Sequence, residues 1–283
     1  MIGFHRSEDM TASPQSEQFH LELNTPAGAL RASVDVPSGF VPIASIVPLL
    51  RRLGEEAQAL EVQRAREAGA VISCRQGCAA CCRMLVPVSA PEAFSLLEAI
   101  ERLPSEERER LERKLSEARN RLDEAGLLAR LQTVADAESP MSDEELEPLN
   151  RAYYGLRLPC PFLENESCSL YEHRPAACRE LLVTSPAELC DDLMSQPVEP
   201  VPVPARIGTA LGLLWGEIRK EGVRLIPLPL AVEWARRHAE EQSQSPAWKG
   251  PELLERALGQ VARLLEYEFA SRQSTSTETP GRH

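Results

Sequence analysis

"SCRQGCAACC", residues 73–82, sets four cysteines within nine consecutive positions, half of the eight in the chain. A cysteine that only packs behaves as a small hydrophobe, and cores scatter such residues rather than concentrate them. Ser73 and Gln76 are spaced as a capping box, which predicts a helix beginning at Cys74. At about 100° per residue, Cys78 lies about 40° from Cys74, Cys81 about 340° and Cys82 about 80°. The expectation is one helix face lined with sulfur, with small neighbours at Gly77, Ala79 and Ala80. A helix N-terminus at that face favours thiolate over thiol.

Cys74 and Cys82 would stand about 12 Å apart along such a helix. The ligands of one zinc ion all lie about 2.3 Å from the metal, so these four cannot close one zinc site on a regular helix. A second group supplies further thiols: "CPFLENESCSLYEHRPAACRELLVTSPAELC", residues 160–190, holds Cys160, Cys168, Cys178 and Cys190. Pro159 and Pro161 predict an extended segment at Cys160, and "ENES" a turn before Cys168. Pro175 opens a short helix with Cys178 in its first turn, and the Ser185–Glu188 capping box predicts a helix carrying Cys190. All eight cysteines, Cys74, Cys78, Cys81, Cys82, Cys160, Cys168, Cys178 and Cys190, are candidate metal ligands. His173 reads as a surface or supporting residue. Arg75, Arg83, Arg174 and Arg179 flank the thiols and could offset the charge of a thiolate-bound centre.

Together, "CRQGCAACCR" and "CPFLENESCSLYEHRPAACR" resemble the cysteine-cluster family called YkgJ-like or CxxCxxCC. The resemblance spans roughly residues 70–190 and implies a zinc- or iron-chelating domain. One departure is the three-residue gap between Cys74 and Cys78, where the family name implies two. Cys78, Cys81 and Cys82 therefore carry the match better than Cys74. The family also includes flagellin lysine N-methylases, which implies an iron–sulfur centre and S-adenosylmethionine chemistry. No site for S-adenosylmethionine is visible in the sequence, because no glycine-rich loop follows a strand. The glycines of "GTALGLLWG", residues 208–216, recur at helical spacing and read as close helix packing.

The rest of the chain reads as a mainly α fold with a small N-terminal β-hairpin. Residues 19–37 alternate apolar and polar around "NTPAG", the pattern of two paired strands. Helices are expected over 41–69, from the Ser89–Glu92 and Ser142–Glu145 capping boxes, and over 206–220, 230–241 and 251–270. Leu111, Leu115, Ala118, Leu122, Ala125, Leu128 and Leu131 form one apolar stripe on a long helix between Ser105 and Val134. Residues 1–16 and 272–283 are polar and expected to be disordered. Residues 17–271 are expected to form a single metal-binding domain, with a cysteine-cluster core at 70–194 and C-terminal helices at 205–271.

The 283 residues carry a formal net charge of -12, which disfavours nucleic acid and anionic membrane surfaces as partners. No stretch reaches the roughly 18 apolar residues of a membrane span, and "MIGFHRSEDM" is no secretory signal. A cytoplasmic location is expected, where reductants favour metal ligation over disulfides. The leading reading is a protein holding an iron–sulfur cluster or iron through both cysteine groups, since a cluster spreads its ligands more widely than one ion does. The alternatives are a structural zinc scaffold that engages a protein partner, and an S-adenosylmethionine-dependent methyltransferase acting on a protein substrate.

Overall fold

The computed structural model describes residues 2–6, 16–75, 77–137, 141–192, 196–244 and 248–277. The alternating segment forms strands β2 (Ser16–Thr25) and β3 (Gly28–Pro37), paired antiparallel from Ser16 opposite Pro37 to Thr25 opposite Gly28. The Thr25 hydroxyl donates to the Gly28 carbonyl at 2.8 Å and accepts from the Ala27 N–H at 3.2 Å, which closes the two-residue turn. Ile2–Arg6, in a segment expected to be disordered, instead forms strand β1 against β2. The long β2 edge offers that segment a hydrogen-bonded ladder. Residues 7–15 and 278–283 of the expected disordered ends lie outside the described residues.

The helices are α1 (Val47–Glu67), α2 (Ala90–Glu101), α3 (Ser105–Glu124), α4 (Leu128–Ala135), α5 (Asp143–Gly155), α6 (Ala176–Glu180), α7 (Ile207–Arg219), α8 (Ala231–Arg237), α9 (Ala239–Gln244) and α10 (Gly250–Thr277). Three short antiparallel pairs tie them together: β4 (Phe40–Val41) with β9 (Trp248–Lys249), β5 (Pro87–Val88) with β8 (Ile226–Pro227), and β6 (Leu163–Glu164) with β7 (Ser167–Cys168). The fold is mainly α, as the sequence implies. Helix α10 runs into the segment expected as a polar tail.

Two of the four capping boxes are formed, Ser89 with Glu92 at α2 and Ser142 with Glu145 at α5. The other two do not start α-helices. Residues 71–75 and 77–79 are irregular, Ala80–Arg83 is a 3-10 turn, and Ala187–Asp192 is another. An amphipathic helix is held chiefly by burial of an apolar stripe, and among the described residues of the first cysteine segment only Ala79 is buried. Gly77 has φ +82°, a left-handed conformation that interrupts a right-handed helix. The long helix expected over 105–134 is likewise broken at Gly126. There Leu127 N–H donates to the Leu122 carbonyl and Gly126 N–H to that of Asp123, with φ +69° at the glycine, a Schellman termination.

Helix α2 is central. Ten of its twelve residues are buried, and it packs against α1, α7 and α8. Phe94 lies between Trp215 and Trp234, with ring centroids 5.4 and 5.6 Å away. Burying such a ring contributes about 1.5–3 kcal/mol. Leu21, Leu23 and Val36 turn the inner face of the sheet into the same hydrophobic cluster, which also takes in α1, α7, α8 and α10. A second cluster, including Leu122, Leu131, Leu149 and Tyr153, joins α3, α4 and α5. The glycines of α7 permit close approach as expected: a Cβ on Gly212 would stand 2.9 Å from Val223 Cγ1, and one on Gly216 2.8 Å from the Glu221 carbonyl oxygen.

Candidate metal centre

The cysteine segments enter this frame at fixed points. The first ends at β5, which is paired to β8 just before α2. The second leaves α5, and its "ENES" turn becomes the β6–β7 hairpin, with Asn165 and Glu166 at φ +50° and +56°. Two successive left-handed residues define the turn type that matches strand twist in tight hairpins, and that turn sets Cys168 on β7. Pro175 caps α6, where Cys178 N–H donates to the Pro175 carbonyl at 3.1 Å. Cys178 thus sits in the first turn, as the sequence suggests.

The two segments are joined directly. Cys160 N–H donates to the Cys82 carbonyl at 2.7 Å. Arg83 makes a forked pair with Glu166, at 3.3 and 3.0 Å, across the two motifs. Upstream, Ser73 N–H donates to the Val183 carbonyl at 3.0 Å, and Val183 N–H donates to Cys74 Sγ at 3.4 Å. These bonds gather Cys74, Cys78, Cys81, Cys82, Cys160, Cys168 and Cys178 around one cavity of about 520 Å³. Cys190 is buried outside its lining. Its electrostatic neighbours are Cys74, Cys78 and Cys81. Among the described residues, no three Cys, His, Asp or Glu side chains converge as one ion's ligands would.

The expectation that helix N-termini hold these sulfurs as thiolates is corrected by the geometry. Cys74 and Cys190 lie on no α-helix, and burial dominates their surroundings. It pushes Cys160 up to about 12 and raises Cys178, Cys168, Cys74 and Cys190 as well. Cys81 is raised first by its hydrogen bond with Cys82 and then by burial. A set of crowded, desolvated thiols is a donor set for a soft or borderline cation, which replaces the protons and compensates the charge. The residues present therefore fit a thiolate-bound metal.

Two charged residues behind the cavity were not among the sequence candidates. Glu92 on α2, 1% exposed, accepts from Ser89 Oγ at 2.8 Å and from the Ala176 N–H of α6 at 2.7 Å. It thereby caps its own helix and also anchors the one that carries Cys178. Arg51 on α1, 5% exposed, lies 3.7 Å from Glu92 and within electrostatic reach of Cys178. The available signal was Glu92 itself, an acid inside the apolar run "APEAFSLLEAI". Its capping-box role hid the longer contact. On α6, Glu180 accepts from the Ile207 N–H of α7 at 2.9 Å, and burial pushes it up to about 7. Helix α6 is thus pinned at both ends.

A thiol-lined cavity drawn from two cysteine motifs defines a cysteine-cluster, metal-binding class of protein. Residues 73–192 match the CxxCxxCC family model, described as "Putative zinc- or iron-chelating domain". No curated protein and no solved structure matches the chain. The chain is a metal-binding cysteine-cluster protein. Among the described residues, no helix is long and apolar enough to cross a membrane.

Proposed function

We propose that this protein holds an iron–sulfur cluster or iron, with Cys78, Cys81, Cys82, Cys160, Cys168 and Cys178 as the principal candidate ligands. The observation that carries this reading is the distribution of seven thiols around the wall of one roomy cavity. A cluster takes its thiolates from a wider volume than a single ion does. Cys74 stands at the same wall as a further candidate, and Cys190 is the outlying one. Once bound, such a centre would supply redox or Lewis-acid chemistry. The chain's own residues would fix its ligands through the Cys160–Cys82 backbone bond, the Arg83–Glu166 pair and the Glu92 anchor of α6. Eight unpaired thiols suit a reducing compartment, which favours a cytoplasmic location.

Zinc is the second reading, favoured by the number of thiols available: eight are enough for two four-cysteine sites. A methyltransferase has no observation in its favour. The described strands pair only antiparallel, so they build no parallel-sheet crevice for a nucleotide-like cofactor.

Metal and sulfide analysis of anaerobically purified protein tests the reading. Iron with sulfide and broad absorption in the visible is expected. Stoichiometric zinc without iron in protein from its native source would replace the cluster with the scaffold. Cys81→Ser and Cys168→Ser should each abolish most of the bound metal, since serine is a poor donor to a soft centre. Unchanged metal in both variants would mean that the two motifs do not build one site.

A further inference from the structure

A cation bound by several thiolates keeps a net negative charge, and a desolvated excess charge needs a counter-charge held nearby. Five arginines flank or approach the cysteines in the structure, and three already have carboxylate partners. Arg83 is paired with Glu166, Arg179 with Glu55, and Arg51 with Glu92. Among the described residues neither Arg75, which is exposed, nor Arg174, which is half-buried, has a carboxylate partner, and Arg174 is the one held in place.

Its setting differs in other ways. Arg174 lines the thiol cavity. Its guanidinium lies 4.1 Å above the Tyr171 ring centroid, and its Nε is buried without a hydrogen-bond partner. The backbone is fixed in an extended conformation, φ -58° and ψ 142°, by the following Pro175. Its carbonyl accepts from Arg179 Nε at 3.0 Å. The side chain is therefore oriented before any ligand arrives, and its positive charge bears on both Cys81 and Cys168.

We propose that Arg174, stacked on Tyr171 in the second cysteine motif, is the charge-compensating residue of the metal centre, within reach of thiols of both motifs to stabilise them as thiolates when metal is bound. This inference rests on the metal-centre reading above. Arg174 is a positioning residue, acting through the sulfurs and not as a ligand. Residues beside metal ligands change affinity by about 10–100-fold when removed, which sets the scale of the expected effect.

The test is an anaerobic titration of metal-free full-length protein with Co²⁺, following thiolate-to-cobalt absorption, alongside melting curves with and without metal. Arg174→Gln should weaken Co²⁺ binding at least about tenfold, with Arg174→Lys recovering part of the loss. The metal-free melting temperature should stay near that of the wild type, while the metal-induced rise shrinks. Arg130→Gln removes an equal charge from an exposed position on α4, outside the cavity lining, and should change affinity by less than about fivefold. Wild-type affinity in Arg174→Gln would overturn the inference and leave the metal centre standing. So would equal losses in the Arg130 and Arg174 variants, or a metal-free form destabilised as much as the loaded one. A wild-type protein that takes up no Co²⁺ would overturn the metal-centre reading and this inference together.

Discussion

In α2, ten of twelve residues are buried and Phe94 fills the space between two tryptophans. In the neighbouring cysteine segments, regular structure is limited to short 3-10 turns, the five-residue α6 and a two-residue-per-strand hairpin. Apolar area removed from water holds the first region. The second inserts only a few side chains, such as Phe162 and Leu170, into that core and relies more on individual polar links: the Cys160–Cys82 bond, the Arg83–Glu166 fork and the hydrogen bond from Ala176 to Glu92. This difference predicts that the cysteine region depends on what occupies its cavity in a way that the helical centre does not. Metal binding free energy becomes folding free energy where ligands come from distant parts of the chain.

Glu92 is the point where the two regions meet, and its removal should have the largest effect. Glu92→Ala leaves Arg51 as a buried charge without its partner, which typically costs about 3–5 kcal/mol. It also frees the N-terminus of α6. Urea denaturation should report the stability loss, and metal affinity should fall with it because Cys178 loses its anchor. A loss below about 1 kcal/mol with full metal retention would mean that the two regions are independent, and the comparison would fail.

Gly216→Ala sharpens the contrast from the helical side. A Cβ there would stand 2.8 Å from the Glu221 backbone oxygen, so the turn after α7 must shift. Overpacking of this kind costs about 1–3 kcal/mol. Metal stoichiometry should remain that of the wild type, since α7 contributes no thiol. Metal loss in this variant would show that packing in the helical centre controls the site directly.

The same contrast governs what the sequence made legible. The hairpin was readable because one face of it is buried, and alternation records that directly in Phe19, Leu21, Leu23, Val34 and Val36. The Ser89 and Ser142 capping boxes predicted real helices because buried residues follow them: Phe94 and Ile100 in one case, Leu146 and Leu149 in the other. The same four-residue pattern misled at Ser73, where Gly77 breaks the chain direction and no apolar stripe follows. It also misled at Ser185, where the turn stays 3-10. The break at Gly126 was hidden because the apolar spacing continues across it. Within the site, cysteine spacing indicated that the two motifs belong together. Glu92 and Arg51 could not be assigned from the sequence, since their partners lie on other helices.

The smallest expected effect belongs to a pair far from the cavity. Glu112 on α3 and Arg236 on α8 are hydrogen-bonded, with side chains 36% and 42% exposed. That bond, ahead of the pair's charge attraction, holds the Glu112 carboxyl below its ordinary value of 4.5. A carboxyl with a lowered folded value stabilises the fold at pH above its unfolded value, and that contribution is lost as pH falls through the folded one. Half-exposed pairs are screened by solvent and salt, so Glu112→Gln should cost only about 0.2–1 kcal/mol at pH 7. Urea denaturation of both proteins should show that difference at pH 7. It should shrink as the pH is taken below the unfolded value and vanish once it is below the folded one, and it should also shrink in high salt. A difference that persists in acid would mean that Glu112 acts by packing between α3 and α8 and not by charge. Metal content should be the same in both proteins at pH 7. If metal content fell with the loss of this remote pair, the site could no longer be treated as separate from the helical scaffold.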